Sequence, residues 1–337
     1  MTGPTSPTAA KPDTIQRLKD SVDQGHAMLA GIRLEVFTHL AEGPRTPADL
    51  AGRLGVAEDR LARLLYALAV SGLLEVQEGH FVNAPEAAAF LVKGRPGYLG
   101  NHEMVRKIWD ADLRTAESIR SGRPAALHDF AEASDEEMAV MVRGMHPDTV
   151  AVGRALARRF DFSGCRSVVD VGGGSGGLAA ALCEANPTLH GTLFDLPRTC
   201  ALAAPILRDC PGGDRVAIET GDILTAPPRD RHDAAVMKSL VQVFGPADAA
   251  RAIANAAAAV RPGGAVYVVV GIGILDDDRL GPSNTVFRNV TLMNLYPASA
   301  AYTEGEHVAW LSAAGCGEVE RVRLPSDTDV LRATKLR

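Results

Sequence analysis

Apolar residues between positions 14 and 40 recur at mixed steps of three and four: Ile15, Leu18, Val22, Met28, Leu29, Ile32, Val36, Phe37 and Leu40. That period predicts helix, with Gly25 and Gly31 as the points that divide or bend it. Thr46-Pro47-Ala48-Asp49 then offers an N-cap, a proline at the first helical position and an acid in the first turn. The helix it opens runs to Leu54 and stops at Gly55. A second helix, from about 57 to 70, carries Leu61, Leu64, Leu65 and Leu68 on one face and ends at Gly72. Two short runs, 73–76 and 80–82, flank Gln77-Glu78-Gly79 and read as a hairpin. Helix, turn, helix and hairpin form the pattern of a winged helix.

Residues 101–160 keep a helical period. Met104, Ile108, Trp109, Leu113, Ile119, Met138, Met141, Val142 and Met145 supply the apolar faces, and Ser121-Gly122-Arg123-Pro124 interrupts them. Methionine is flexible and fits irregular apolar ligands, so this stretch reads as core or as the lining of an organic-substrate pocket. After Cys165 the period changes. Strands at 167–171, 190–194, 215–220, 234–238 and 265–271 alternate with helices at 178–185, 199–207 and 247–260. Such alternation predicts a parallel, doubly wound sheet with helices on both faces.

Composition narrows the function. At 337 residues the chain is long enough for two domains, and 46% hydrophobic with 23% charged residues excludes a disordered or fibrous chain. The net charge of −6 weighs against a protein that wraps nucleic acid, which needs a positive surface. It bears on the winged helix too. Glu58 and Asp59 cancel Arg60 and Arg63 on its second helix, so a dimerisation or substrate-cap role is expected over DNA reading. Residues 1–13, rich in Pro, Thr, Ala and Gly, read as a disordered tail without the apolar region of a signal peptide. No apolar run approaches the ~18 residues of a membrane span. Five cysteines without CxxC spacing read as reduced packing residues of a cytoplasmic protein. Asp276-Asp277-Asp278 reads as a solvated loop, and no catalytic metal is expected.

The main chemical signal is Val168-Val169-Asp170-Val171-Gly172-Gly173-Gly174-Ser175-Gly176-Gly177, a glycine-rich turn between a strand and a helix. Without Cβ atoms the backbone can approach a ligand closely. Asp195 lies 23 residues after Gly172, at the end of the second strand of the alternating region. An acid there can accept ribose hydroxyls of NAD or of S-adenosylmethionine (SAM). Asp170 two residues before Gly172, Gly221-Asp222-Ile223 after the third strand and Arg261-Pro262-Gly263-Gly264 before the fifth favour SAM.

At these motifs the chain resembles the class I SAM-dependent methyltransferases of small molecules. More narrowly, it resembles the two-domain group containing plant phenolic O-methyltransferases and bacterial natural-product methyltransferases. The resemblance spans about residues 14–337 and includes VVDVGGGSG, FDLP, GDI, MKSLVQVF, RPGG and AYTEGEH. It implies a winged-helix dimerisation domain at 14–97, a helical substrate-lining segment at 98–160 and a Rossmann-like SAM-binding α/β domain at 161–337. It further implies a homodimer. By resemblance, Gly172 and Gly174 border the amino acid of SAM. Asp195 and Leu196 hold ribose and adenine, Asp222 and Ile223 meet adenine, and Lys238 and Ser239 line the cofactor.

In the plant enzymes a His four residues after the position matching Lys238 deprotonates the phenol. Here that position is Gln242, whose amide can orient a substrate but cannot act as a general base. The substrate then ionises unaided, or His102, His146 or Glu304 is the base, or the acceptor is carbon or nitrogen, or SAM serves another chemistry. Trp109, Met141, Met145, His102, Arg288, Asn289 and Asn294 are the expected substrate-facing residues, with Arg288 suited to an acidic substrate. Oxygen is the expected methyl acceptor.

Overall fold

The computed structural model describes residues 11–95, 98–99, 102–127, 133–325 and 328–336, without the side chains of 102–104. Most of the expected tail, residues 1–13, lies outside them. The chain divides into two compact units, Met1–Ile108 and Trp109–Arg337.

The first unit holds α1 (Asp13–Arg33), α2 (Val36–Leu40), α3 (Pro47–Leu54), α4 (Glu58–Val70), β1 (Leu74–Gln77), β2 (His80–Asn83), α5 (Pro85–Phe90) and the start of α6 (His102–Asp112). Neither Gly25 nor Gly31 breaks α1. The chain turns at Glu35, which takes a left-handed φ of 55°. Gly31 instead gives close packing: a Cβ there would stand 3.0 Å from Leu68 Cδ1 on α4. The predicted cap of α3 forms as a capping box, with Thr46 Oγ1 accepting the Asp49 N–H and Asp49 accepting the Thr46 N–H. β1 and β2 pair antiparallel, and Phe37, Leu50, Leu65, Leu68 and Phe81 fill the core of this winged-helix arrangement.

The second unit continues with α7 (Thr115–Ser121), α8 (Asp135–Arg159), β3 (Ser167–Val171), α9 (Gly177–Ala185), β4 (His190–Asp195), α10 (Pro197–Asp209), β5 (Val216–Thr220), β6 (His232–Lys238), α11 (Pro246–Ala258), β7 (Val260–Val270), α12 (Ser283–Leu295), α13 (Glu304–Ala313), β8 (Cys316–Arg323) and β9 (Asp329–Lys335). The sheet order is β5-β4-β3-β6-β7-β9-β8. Strands β3 to β7 are parallel, while β9 runs antiparallel to β7 and β8. The period-2 signal of β8 is carried by charged residues on an edge, so apolar patterning missed that closing pair. Buried apolar clusters cover both sheet faces. The chain winds from β3 outward to β5, then returns to β6 on the other side. That reversal opens a crevice beyond the carboxyl ends of β3 and β6, where ligands of open α/β sheets bind.

Candidate active site

The turn between β3 and α9 is built from backbone that only glycine takes easily. Gly172, Gly174 and Gly176 have φ of 65°, 59° and 72°. Gly173 is required by contact instead: its Cβ would stand 2.4 Å from Asp170 Cγ. Around Gly174 the corresponding position has no heavy atom of the described residues within 4 Å, so the turn is open there.

Two acids hold the turn. Asp195, at the end of β4, accepts the Gly174 N–H on Oδ2 at 2.9 Å and the Leu196 N–H on Oδ1 at 2.7 Å. Burial holds its carboxyl above the usual range, while these N–H groups pull it back down. A carboxylate has about four lone-pair sites, so Asp195 keeps acceptor capacity for hydroxyls. Asp170 is fully buried. Its Oδ2 accepts the Ala179 N–H at 3.3 Å and its Oδ1 has no partner among the described residues. Burial pushes its carboxyl up to about 7.

Helix α8 braces the turn from one side. His146 Nδ1 and Ser175 Oγ share a hydrogen bond of 2.9 Å, and Thr149 Oγ1 lies 3.2 Å from the same hydroxyl. A Cβ on Gly177 would stand 2.6 Å from Thr149 Oγ1 and 2.8 Å from His146 Nδ1. The half-buried His146 ring is held below its usual pKa by desolvation. Thr149 was not legible as a site residue, because its partner is 26 positions away.

At the end of β6, Lys238 Nζ donates to Asp148 Oδ2 at 2.7 Å, and Ser239 takes a left-handed φ of 54°. Such backbone in a non-glycine residue costs about 1 kcal/mol or more and concentrates at functional sites. Gly271 accommodates it, since a Cβ there would reach within 2.5 Å of Ser239 Oγ. A small pocket lies next to this strand end. Ser239, Gln242, Ile272, Ala301, Tyr302 and His307 are among its lining residues. Gln242 Oε1 is buried without a partner among the described residues. His307 is 1% exposed and donates from Nδ1 to the Thr303 carbonyl at 2.8 Å, which leaves the Nε2 lone pair on the neutral ring. Burial holds its pKa down. Tyr302 donates to the Phe244 carbonyl and packs edge-on against Trp310.

The other expected residues spread out. Asp222 is exposed and accepts the Leu224 N–H at 2.9 Å, whereas the Ile223 side chain is buried in the sheet core. Leu196 is 44% exposed beside Asp195. Met141 and Trp109 are half-buried and Met145 is exposed. Asn289 Oδ1 accepts the Ala301 N–H at 2.7 Å, which fixes it beside the Gln242 pocket. Arg288 Nη1 donates to the Gly271 carbonyl at 3.2 Å. His102 opens α6, and its side chain lies outside the described ones.

Two expectations are corrected. Glu304 is not placed as a base: its Oε2 accepts from Arg321 Nη1 at 3.1 Å. Arg321 belongs to β8 and holds that carboxylate in an ion pair. Asn294 does not face a substrate either. It is fully buried, and its Nδ2 donates to Thr115 Oγ1 at 2.9 Å and Asp112 Oδ1 at 3.4 Å, tying α12 to α6 and α7.

Open space over Gly174, spare acceptor capacity on Asp195 and the orphaned Asp170 Oδ1 fit a nucleoside cofactor with an amino-acid end. Fold and site thus define a doubly wound α/β protein with a crevice for a nucleoside cofactor. Residues 118–316 match the O-methyltransferase domain and residues 22–93 the O-methyltransferase dimerisation domain, so the chain belongs to the O-methyltransferase family. A tetracenomycin polyketide synthesis 8-O-methyl transferase of Streptomyces glaucescens is 31% identical over 327 residues, covering 95% of each chain. A 3-hydroxy-5-methyl-1-naphthoate 3-O-methyltransferase of Streptomyces sahachiroi is 29% identical over 333 residues, covering 96% of this chain and 94% of that one. The solved structure of a methyltransferase in calicheamicin biosynthesis, in its S-adenosylhomocysteine-bound form, superposes with a TM-score of 0.79. It is 25% identical and covers 97% of this chain and 99% of that chain. The protein is a SAM-dependent methyltransferase that O-methylates a small substrate. Among the described residues no helix is long and apolar enough to cross a membrane, and no cluster of three or more His, Cys, Asp and Glu is placed to hold a metal ion.

Proposed function

We propose that this chain methylates an oxygen of a natural-product aromatic by positioning, without a side chain that takes the proton from the acceptor directly. The observation that carries this is Gln242 at the pocket beside β6, its Oε1 buried and unpartnered. An amide there accepts or donates a hydrogen bond and so aims the acceptor oxygen, but it does not titrate. SAM, when bound, supplies an electrophilic methyl on its sulfonium. The residues do the rest. Asp195 accepts ribose hydroxyls, and Leu196 and Asp222 flank the adenine. Ile223 acts there through its backbone, since its side chain belongs to the core. Gly172, Gly174 and the Asp170 turn receive the amino-acid end. Lys238, neutralised by Asp148, and Ser239 close the wall between cofactor and acceptor.

His146 positions the turn through Ser175. Trp109, Met141 and Met145 supply apolar surface to the substrate. The first unit pairs two chains into a homodimer, and the enzyme works in the cytoplasm on small molecules, with no nucleic acid or membrane partner. Incubation with SAM and a panel of hydroxyarenes tests the reaction. S-adenosylhomocysteine must accumulate in step with a product one methyl group heavier, about 14 mass units. A by-product without such a product, or product without the by-product, overturns it.

A further inference from the structure

Arg288 is the one cation placed beside the acceptor pocket without an anionic partner among the described residues. On α12, its Nη1 donates to the carbonyl of Gly271 at 3.2 Å. Gly271 sits between the pocket-lining residues Val270 and Ile272, and a Cβ on it would meet Ser239 Oγ. The anchor uses one of the five guanidinium donors and leaves the side chain exposed. Nearby cations differ. Lys238 is held by Asp148, Arg279 by Glu306, and Arg321 by both Glu304 and Asp329. Apolar residues line the pocket together with Ser239, Gln242, Tyr302 and the buried His307, and Asn289, next in sequence to Arg288, is committed to the Ala301 N–H. An apolar wall, a neutral acceptor and a free guanidinium at the rim match a flat apolar molecule with one negative group.

We infer that Arg288 is the specificity residue for an aryl oxyanion on the substrate, binding it by charge-assisted hydrogen bonds while Gln242 orients the oxygen that is methylated. The inference rests on the methyltransferase reading above and names its substrate class. Arginine suits the task, because its planar fork meets a carboxylate through two parallel N–H donors. The methyl-transfer step is unchanged by it: the acceptor oxygen gains the methyl, the sulfonium loses it, and a proton leaves to solvent.

The test is calorimetric binding to the full chain loaded with S-adenosylhomocysteine. The probes are 3-hydroxy-1-naphthoate, its methyl ester, and 2,4-dinitro-1-naphthol, which is ionised near neutral pH. The variants are Arg288→Gln and Arg288→Lys. The expected result is that the naphthoate binds at least ~10-fold more tightly than its ester, and that Arg288→Gln removes this difference while Arg288→Lys keeps part of it. A dinitronaphtholate that binds in the same Arg288-dependent way extends the site to ionised hydroxyls, and one that does not confines it to carboxylates. Equal binding of acid and ester, binding of neither, or Arg288→Gln indistinguishable from wild type overturns the inference. S-adenosylhomocysteine affinity, measured first on each variant, separates the two failures. Loss of that affinity in the wild type sinks the methyltransferase reading, whereas retained affinity with equal acid and ester binding sinks only the role of Arg288.

Discussion

The Asp195 carboxylate accepts the Gly174 N–H at 2.9 Å, so the acid at the end of β4 and the turn after β3 are fixed as one unit. The same carboxylate receives the Leu196 N–H, so two backbone donors hold it in place. Preorganisation of this kind lowers the ordering cost of binding. It also separates the two glycines of the turn by mechanism.

Gly173→Ala and Gly174→Ala are expected to fail differently. At Gly174 there is open space, and the cost is the left-handed φ alone, about 1 kcal/mol of stability. At Gly173 the added methyl runs into the buried Asp170 carboxyl, so the loss exceeds that of Gly174→Ala. Thermal unfolding of the two variants measures this. Equal Tm values would show that the turn relaxes away from Asp170.

Asp170 gives a pH prediction for the ligand-free protein. Its folded pKa of about 7 lies above the ordinary 3.8, so the folded state binds this proton more tightly than the unfolded state. Its contribution to stability is therefore fully present below about pH 4 and is lost as the pH rises through about 7, by at most about 4 kcal/mol. Asp170→Asn removes this dependence. Urea midpoints of wild type and variant should converge at low pH and separate towards pH 8, with the variant higher. A constant difference across the range contradicts the burial assignment.

Gln242→Ala should lower kcat by less than the ~10²–10⁴-fold seen when a general base is removed. Steady-state rates on any turned-over hydroxyarene provide the measurement. A larger loss would mean that the amide controls proton transfer, for instance by holding a water against His307 Nε2.

Glu304→Gln should leave kcat and KM unchanged. The ion pair with Arg321 is half-exposed, so its loss should lower stability by no more than about 1 kcal/mol. A fall in kcat with unchanged Tm would return Glu304 to the catalytic machinery.

Much of this site could be read from local sequence. The turn from Gly172 to Gly177, the acid at Asp195 and the cap at Thr46 are defined by residues close together in the chain or by strand ends. What could not be read was decided by distant contacts. Glu304 looked like a free carboxylate until β8 brought Arg321 to it. Asn294 looked like a pocket amide until α6 and α7 supplied Asp112 and Thr115. Gly31 looked like a helix break because glycine weakens helices, yet its missing side chain makes room for Leu68 and Phe37. The edge strand β8 went unread because its exposed positions are charged and its pairing depends on β9.

If Asp195 and the glycine turn hold SAM, titration calorimetry with SAM reads it out. The wild-type chain should bind one SAM per chain. Asp195→Ala should bind it at least ~10-fold more weakly, corresponding to about 1.5 kcal/mol for lost charge-assisted hydrogen bonds. A correctly folded Asp195→Ala protein that binds SAM as tightly as the wild type would contradict the cofactor site described.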